Sequence, residues 1–301
     1  MNIAITGGTG FVGSELSKVL IERGHTLYIL TRNPSRHQDE TSIKYIGWLT
    51  EEAYPEKELQ NVDVFVNLAG ESINSGRWTE ERKQRILDSR IQATKEVIRI
   101  IESLNKKPSA LINASAIGYY PASQTETYTE TATNKADDFL GHTVQKWEEE
   151  ASKAKALGLR TAFTRFGIIL GKEEGALPKM ALPYKLFVGG KVGSGKQWLS
   201  WVHLKDVAEA IAFVIETSTI SGPVNITAPH PYQMNDFGKV LAQVLGRPHW
   251  IPAPAFALKL ALGEMSQLVL EGQKVLPKVL EEHGYRFHFP HLKPALEDIY
   301  Q

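Results

Sequence analysis

Short apolar runs alternate through the first 170 residues with stretches in which apolar side chains recur every three or four positions. Met1–Thr6, Thr26–Thr31, Ile43–Trp48, Val62–Leu68, Ala110–Ala114 and Arg160–Arg165 are the runs, and each reads as a strand. The fourth, Val62-Asp-Val-Phe-Val-Asn-Leu68, is almost continuously apolar, as a parallel strand buried on both faces should be. Between the first two, Phe11 to about Arg23 puts Val12, Leu16, Val19 and Leu20 on one helical face, and Gly24 stops it. Thr79 predicts an N-cap with Glu80 and Glu81 in the first turn. The long amphipathic helix that follows runs through Ile86, Ile91, Val97, Ile98 and Ile101. Residues 137–157 predict another helix, closed by Gly158. Such regular alternation predicts an α/β fold with a doubly wound parallel sheet of the Rossmann type.

After Gly171 glycine and proline become frequent and the apolar runs shorten. Lys205–Glu216 reads as a helix and Pro223–Thr227 as a strand that return to the main sheet. Asn235–Leu245 predicts a helix ended by Gly246 and Pro248. The apolar Phe256–Leu262 and the stretch Glu271–Leu280 predict a small, mostly helical C-terminal lobe. The expected division is residues 1–170 plus about 199–228 in the dinucleotide domain. Residues 171–198 plus 229–301 form the substrate side, with a small C-terminal domain from about 248.

Chemistry enters at the first turn. Gly7-Gly-Thr-Gly10-Phe-Val-Gly13 has the spacing G-x-x-G-x-x-G between a strand and a helix. Such a loop lets the backbone turn sharply and meet a pyrophosphate with the helix N-terminus. At the end of the second strand an acid would hold the ribose hydroxyls of NAD. No acid lies between Leu27 and Arg36, and Arg32 there suits a 2′-phosphate, so NADP(H) is the expected cofactor. Ser115 stands at the C-terminal end of the fifth strand, the sheet edge where ligands bind.

Composition narrows the class without changing it. The chain has 301 residues, 42% hydrophobic and 23% charged, enough for one large α/β domain and a smaller lobe. Basic and acidic residues balance at 34 each, so nucleic acid and anionic membranes are not expected partners. The absence of cysteine excludes disulfides, thiolate catalysis and cysteine-ligated zinc. A start directly in a core strand, and no apolar run near the ~20 residues of a bilayer span, predict a cytoplasmic protein without a leader. The expected partner is a small-molecule substrate, and the expected state a monomer or homodimer.

Three patterns are set aside. Gly190–Lys196 satisfies G-x-x-x-x-G-K, but Gln197 replaces the hydroxyl that would hold magnesium, and a strand-like alternation follows instead of a helix. It reads as a loop near the substrate. The sequons Asn113-Ala-Ser115 and Asn225-Ile-Thr227 fall within or beside strands. His283, His288 and His291 are too irregularly spaced for zinc, and no metal is expected.

These residues resemble the extended and atypical short-chain dehydrogenase/reductases, in the branch called epimerase family proteins. The resemblance spans nearly the whole chain. It is carried by Thr6–Gly13, Thr31-Arg32, Asn67–Glu71, Arg77-Trp78-Thr79, Ser89-Arg90, Ser115 with Tyr119-Tyr120, and Lys146-Trp147-Glu148. Gly193–Trp198, Trp201-Val-His203 with Asp206, and Glu271–Pro277 continue it. It implies a domain binding NADP(H) through Gly7, Thr9, Gly10, Phe11, Val12 and Gly13, Arg32, Leu68, Ala69 and Gly70. It further implies a phosphate contact from Arg90 and packing of Ile168 on the nicotinamide.

The implied activity is reversible hydride transfer, as an epimerase or oxidoreductase, on a sugar nucleotide or small carbonyl compound. That class normally sets a Tyr-x-x-x-Lys pair on the helix after strand five, and none exists between Asp137 and Leu157. His142-Thr-Val-Gln-Lys146 has the spacing with histidine in the acid–base place. Tyr119 supplies the phenol in one reading and His142 replaces it in a second. In a third the chemistry is lost, leaving a non-catalytic NADP(H)-binding sensor or scaffold.

Overall fold

The computed structural model describes residues 1–50 and 52–301. Seven strands form one sheet, every pairing parallel: β1 Asn2–Thr6, β2 Thr26–Thr31, β3 Ile43–Gly47, β4 Val64–Asn67, β5 Ala110–Ala116, β6 Arg160–Phe166 and β7 Gly222–Ile226. Their spatial order is β7-β6-β5-β4-β1-β2-β3. The chain therefore winds one way from β1 to β3 and the other way from β4 to β7. The switch lies between β1 and β4, where ligands sit in such sheets.

Alternation along each strand divides the interior. Ile3, Ile5 and Ile29 pack with Leu16 and Leu20 of α1 (Phe11–Glu22) and with Val207 and Ile211 of the helix Leu204–Glu216. Ala4, Phe65 and Leu111 pack instead with Val97 and Ile101 of α2 (Glu80–Ser103) and Ala151 of α3 (Phe139–Ser152). Period-two side chains between two helical layers make the three-layer α/β architecture. The predicted cap is present: Thr79 Oγ1 accepts from the Arg82 amide at 3.2 Å.

A third core builds the C-terminal lobe. Trp201, fully buried, is surrounded by Leu177 of α4 (Leu177–Lys185), Phe237 and Leu241 of α6 (Met234–Leu245), and Leu292 and Leu296 of α10 (Leu292–Tyr300); the helix between α4 and α6 is α5. Helices α7 (Ala255–Leu262), α8 (Gln267–Leu270) and α9 (Lys278–Glu282) complete it.

Several expectations are corrected. After β6 the chain leaves the main sheet, and Ile168–Leu170 pairs with Trp201–His203. The break falls at Gly167, where a Cβ would stand 2.4 Å from the Ser200 carbonyl oxygen. The α3 helix ends at Ser152, and Lys153–Leu157 tightens into 3₁₀ turns before Gly158 at φ +83. Residues 271–277 are extended, not helical. Lys274–Val275 pairs with Thr127–Tyr128, and Gln273 Nε2 donates to the Ile117 carbonyl at 2.7 Å. The glycine-rich loop at 190–196 is held by Gln197, whose Nε2 donates to the Val192 and Val269 carbonyls at 3.1 and 2.8 Å. Both sequon asparagines, Asn113 and Asn225, are fully buried.

Candidate active site

The glycine loop is shaped by close approaches. Gly7 has φ +69, and a Cβ there would lie 2.9 Å from the Leu68 carbonyl carbon. At Gly13 a Cβ would come within 2.2 Å of the Gly7 carbonyl oxygen, so the helix can start against the loop only without a side chain. Gly10 is the N-cap of α1. It provides no side-chain cap, and the first turn contains no acid. The amides of Phe11, Val12 and Gly13 thus begin a helix whose positive end has no anionic neighbour of its own, a seat suited to a pyrophosphate. Thr9 is exposed at the crown of the loop, and the Phe11 ring packs where Gly171 and Gly175 leave room.

Arg32 follows β2 directly and is exposed. Arg36 stands in the 3₁₀ turn Pro34–Arg36 just beyond, also exposed. Among the described residues neither side chain makes a hydrogen bond or ion pair. Two uncommitted guanidinium groups beside β1 suit a ribose phosphate. Arg36 was assigned no role from the sequence; its place five residues past the strand end was the signal that sets it beside Arg32.

At β4 a buried polar network fixes the floor. Asn67 Nδ2 donates to Asn113 Oδ1 at 2.7 Å and to Thr94 Oγ1 at 3.0 Å, while Thr6 Oγ1 donates to Asn67 Oδ1 at 2.6 Å. Trp147 Nε1 donates to the same Thr94 oxygen at 3.1 Å. The ends of β1, β4 and β5 are thereby locked to α2 and α3. Leu68, Ala69 and Gly70 emerge from this floor, Gly70 exposed. A Cβ on Gly70 would meet the Arg90 side chain at 3.2 Å. Arg90 donates to the carbonyls of Glu71 and Ile86 at 3.0 and 2.9 Å and lies 5.1 Å from the Trp147 ring. Burial pushes its guanidinium down to about 10, against the Glu71 carboxylate, which raises it. The loop Gly7–Gly13, Leu68–Gly70 and Arg90 therefore come together at the switch point.

Ser115 is buried, and its hydroxyl donates to Glu148 Oε1 at 2.6 Å. The Glu148 carboxylate accepts from Arg165 Nε and Nη2, both at 2.8 Å. Arg165 Nη1 donates to the Tyr120 hydroxyl at 2.9 Å, which donates to Asn225 Oδ1 at 2.9 Å. Burial works against the Arg165 charge, but the Glu148 hydrogen bonds and field prevail and hold it above its ordinary value. Burial likewise pushes the Tyr120 phenol up. Asn225 carries the network onward through Nδ2 to the Leu276 carbonyl at 3.0 Å, and its amide donates to Glu130 Oε1 at 2.9 Å. None of Glu148, Arg165, Tyr120 or Asn225 was assigned a role from the sequence. A charged Arg165 inside the apolar run of β6 was the visible signal.

The faces of α3 decide what else can reach this network. Gly141, Val144 and Glu148 are buried, and Leu140 lies 3.5 Å from where Gly118 would carry a Cβ. At roughly 100° per residue, Lys146 stands about 160° and His142 about 120° around the helix from Glu148. Both are exposed. The structure does not bring His142 or Lys146 to Ser115, and their i,i+4 spacing lies along the outer face. Tyr119 is different. It ends the turn Ile117–Tyr119 after β5, half-buried, with its ring 3.5 Å from the Arg165 guanidinium carbon. Its hydroxyl makes no hydrogen bond among the described residues. Ile168, half-buried, opens its short strand with its amide on the Ser200 carbonyl at 2.8 Å.

Residues 3–227 match the NAD dependent epimerase/dehydratase family, and residues 253–299 match a domain of unknown function. The chain belongs to the NAD-dependent epimerase/dehydratase family. Within it, the epimerase family protein YfhF of Bacillus subtilis (strain 168) is 51% identical over 299 residues, covering 99% of this chain and 98% of YfhF. The human epimerase family protein SDR39U1 (isoform 2), in a crystal structure with NADPH, superposes with a TM-score of 0.85 at 31% identity over 99% of each chain. UDP-glucuronic acid 4-epimerase from Bacillus cereus, in complex with UDP-glucuronic acid and NAD, superposes with a TM-score of 0.80. It is 17% identical, over 100% of this chain and 98% of the epimerase, so that likeness shows the fold alone. No described helix is long and apolar enough to cross a membrane.

Proposed function

We propose that this family member binds NADP(H) and catalyses reversible hydride transfer at a carbonyl or alcohol carbon of a sugar nucleotide or small carbonyl substrate. One observation carries the cofactor reading: an uncapped α1 N-terminus on the glycine loop stands beside two uncommitted arginines, Arg32 and Arg36, at the end of β2. The NADPH held by the human relative supports it. When bound, the nicotinamide supplies or accepts a hydride.

The chain's own residues have three tasks in this reading. Gly7–Gly13 and Arg90 hold phosphates, and Arg32 with Arg36 holds the 2′-phosphate. Tyr119 delivers the proton to the substrate oxygen from its free hydroxyl, or removes it in reverse. Ser115 has one proton and gives it to Glu148, so toward a ligand it can only accept; it positions and does not polarise a carbonyl.

A non-catalytic NADP(H) sensor is the second reading, and that committed Ser115 proton favours it. A screen of aldehydes, ketones and sugar nucleotides that follows NADPH absorbance separates the two. In the catalytic reading a turned-over substrate appears, and Tyr119→Phe lowers kcat by about 100-fold without changing NADPH affinity. No turnover of any compound by NADPH-loaded protein supports the sensor instead.

A further inference from the structure

Six of the eleven large apolar side chains that are exposed among the described residues gather in two adjoining segments of the C-terminal lobe. Leu182 lies on α4 and Leu186 one turn later at its end. Phe187 and Val188 follow, and Trp250 and Ile251 come from the segment after α6. The two segments are tied together. The amides of Trp250 and Ile251 donate to the Gly189 carbonyl at 2.9 and 3.2 Å, and Trp250 Nε1 donates to the Phe187 carbonyl at 2.8 Å. A Cβ on Gly190 would stand 2.2 Å from the Ile251 carbonyl oxygen, so the chains run in contact. Together the six side chains expose roughly 600 Å² of apolar surface, at the top of the range for the largest patch on a monomeric protein.

Phe187 is held in this patch at a cost. Its φ is +61, a region that bulky side chains avoid. The turn is kept by the Phe187 amide on the Tyr184 carbonyl at 2.9 Å and by the Trp250 indole on the Phe187 carbonyl. Glycine would fit that backbone without strain, whereas phenylalanine adds a residue that is 53% exposed.

The charges around the patch point to its partner. Residues 176–200 and 237–263 carry seven lysines and arginines and no aspartate or glutamate, in a chain whose 34 cations and 34 acids balance. That balance argues against an anionic membrane for the chain as a whole and conceals this segregation. Lys185 adjoins Leu186, and the Arg247 guanidinium stands 4.5 Å from the Phe187 ring. Lys191 lies beside the second segment, its carbonyl accepting from the Ala253 amide at 2.8 Å. Among the described residues none of these three cations makes an ion pair. A second copy would present the same surface and set cations against cations with no carboxylate in either segment to answer them. An anionic bilayer answers both features. Apolar side chains enter the headgroup boundary, tryptophan sits at that depth, and lysine and arginine reach the lipid phosphates.

We propose that this patch docks on an anionic phospholipid bilayer, with Leu186, Phe187 and Trp250 inserted and Lys185, Lys191 and Arg247 on the headgroups. The inference stands independently of the cofactor and hydride-transfer readings. The test is co-sedimentation of the full-length protein with vesicles of phosphatidylcholine alone and of equal parts phosphatidylcholine and phosphatidylglycerol, at low and high salt. Tryptophan emission is read alongside, because Trp48, Trp78, Trp147 and Trp201 are buried and Trp250 is 66% exposed. The expected result is binding to the anionic vesicles, weakened by salt, with emission moving to the blue and little binding to phosphatidylcholine. Leu186→Ser with Phe187→Gly, and separately Lys185→Glu with Arg247→Glu, should each lower the partition coefficient by about tenfold or more. A cooperative thermal melt shows that each variant is folded.

No binding to the anionic vesicles, equal binding to both compositions, or binding untouched by either pair of substitutions would overturn the inference. So would a concentration-dependent dimer in sedimentation velocity that Leu186→Ser with Phe187→Gly dissolves, since a second copy would then cover the patch.

Discussion

Glu148 holds three groups at once: the Ser115 hydroxyl on β5 and two nitrogens of Arg165 on β6. A carboxylate so placed stabilises only while its partner is present, because a buried guanidinium left alone keeps its full desolvation cost. Glu148→Ala should therefore destabilise the protein by about 3–5 kcal/mol, and Arg165→Met added to Glu148→Met should recover most of that loss. Denaturant unfolding of both variants measures it; a single variant within about 0.5 kcal/mol of the parent would show that the pair does not hold the strands.

Glu130 makes the opposite case. Burial pushes its carboxyl up from the ordinary 4.5, although the Asn225 and Val279 amides and Arg165 pull it down. A raised folded value means that stability is present below the unfolded value and lost as pH rises through the folded one. Glu130→Gln keeps an oxygen for both amides and removes the ionisation. Its melting temperature relative to the parent should climb by roughly 1–3 °C between about pH 4 and pH 8. A difference that stays flat or shrinks with pH would count against a buried, ionising Glu130.

Among elements, α3 teaches most about what a sequence reveals. His142 and Lys146 satisfy the spacing that puts two side chains on one helical face, but spacing does not say which face. That is decided by Gly141, Val144, Trp147 and Glu148, which are buried against the sheet and α2. The same buried set was available in the apolar pattern, with Glu148 as its one charged member. The glycine loop was legible because its reason is local: a turn, a close approach and a helix start within seven residues. The Ser115–Glu148–Arg165–Tyr120–Asn225 network was not, since it joins four elements distant in the chain. Residues 271–277 were misread as helical because their partners, Ile117 and Thr127–Tyr128, lie about 150 residues away.

For the whole molecule, the alternation of strands and helices predicted the doubly wound sheet, and the strand order places its switch point at the glycine loop. The C-terminal lobe was legible as a boundary and as two of its helices, expected at Asn235–Leu245 and Phe256–Leu262, but not in how they pack. Its third core closes around Trp201, so no single segment announces it. The central claim is cofactor choice at the β1–β2 edge, and fluorescence titration of NADPH against NADH tests it most directly. We predict that NADPH binds at least about tenfold more tightly, and that Arg32→Ala with Arg36→Ala removes the preference while leaving NADH affinity unchanged. Equal or tighter binding of NADH by the parent protein, unaffected by those substitutions, would contradict it.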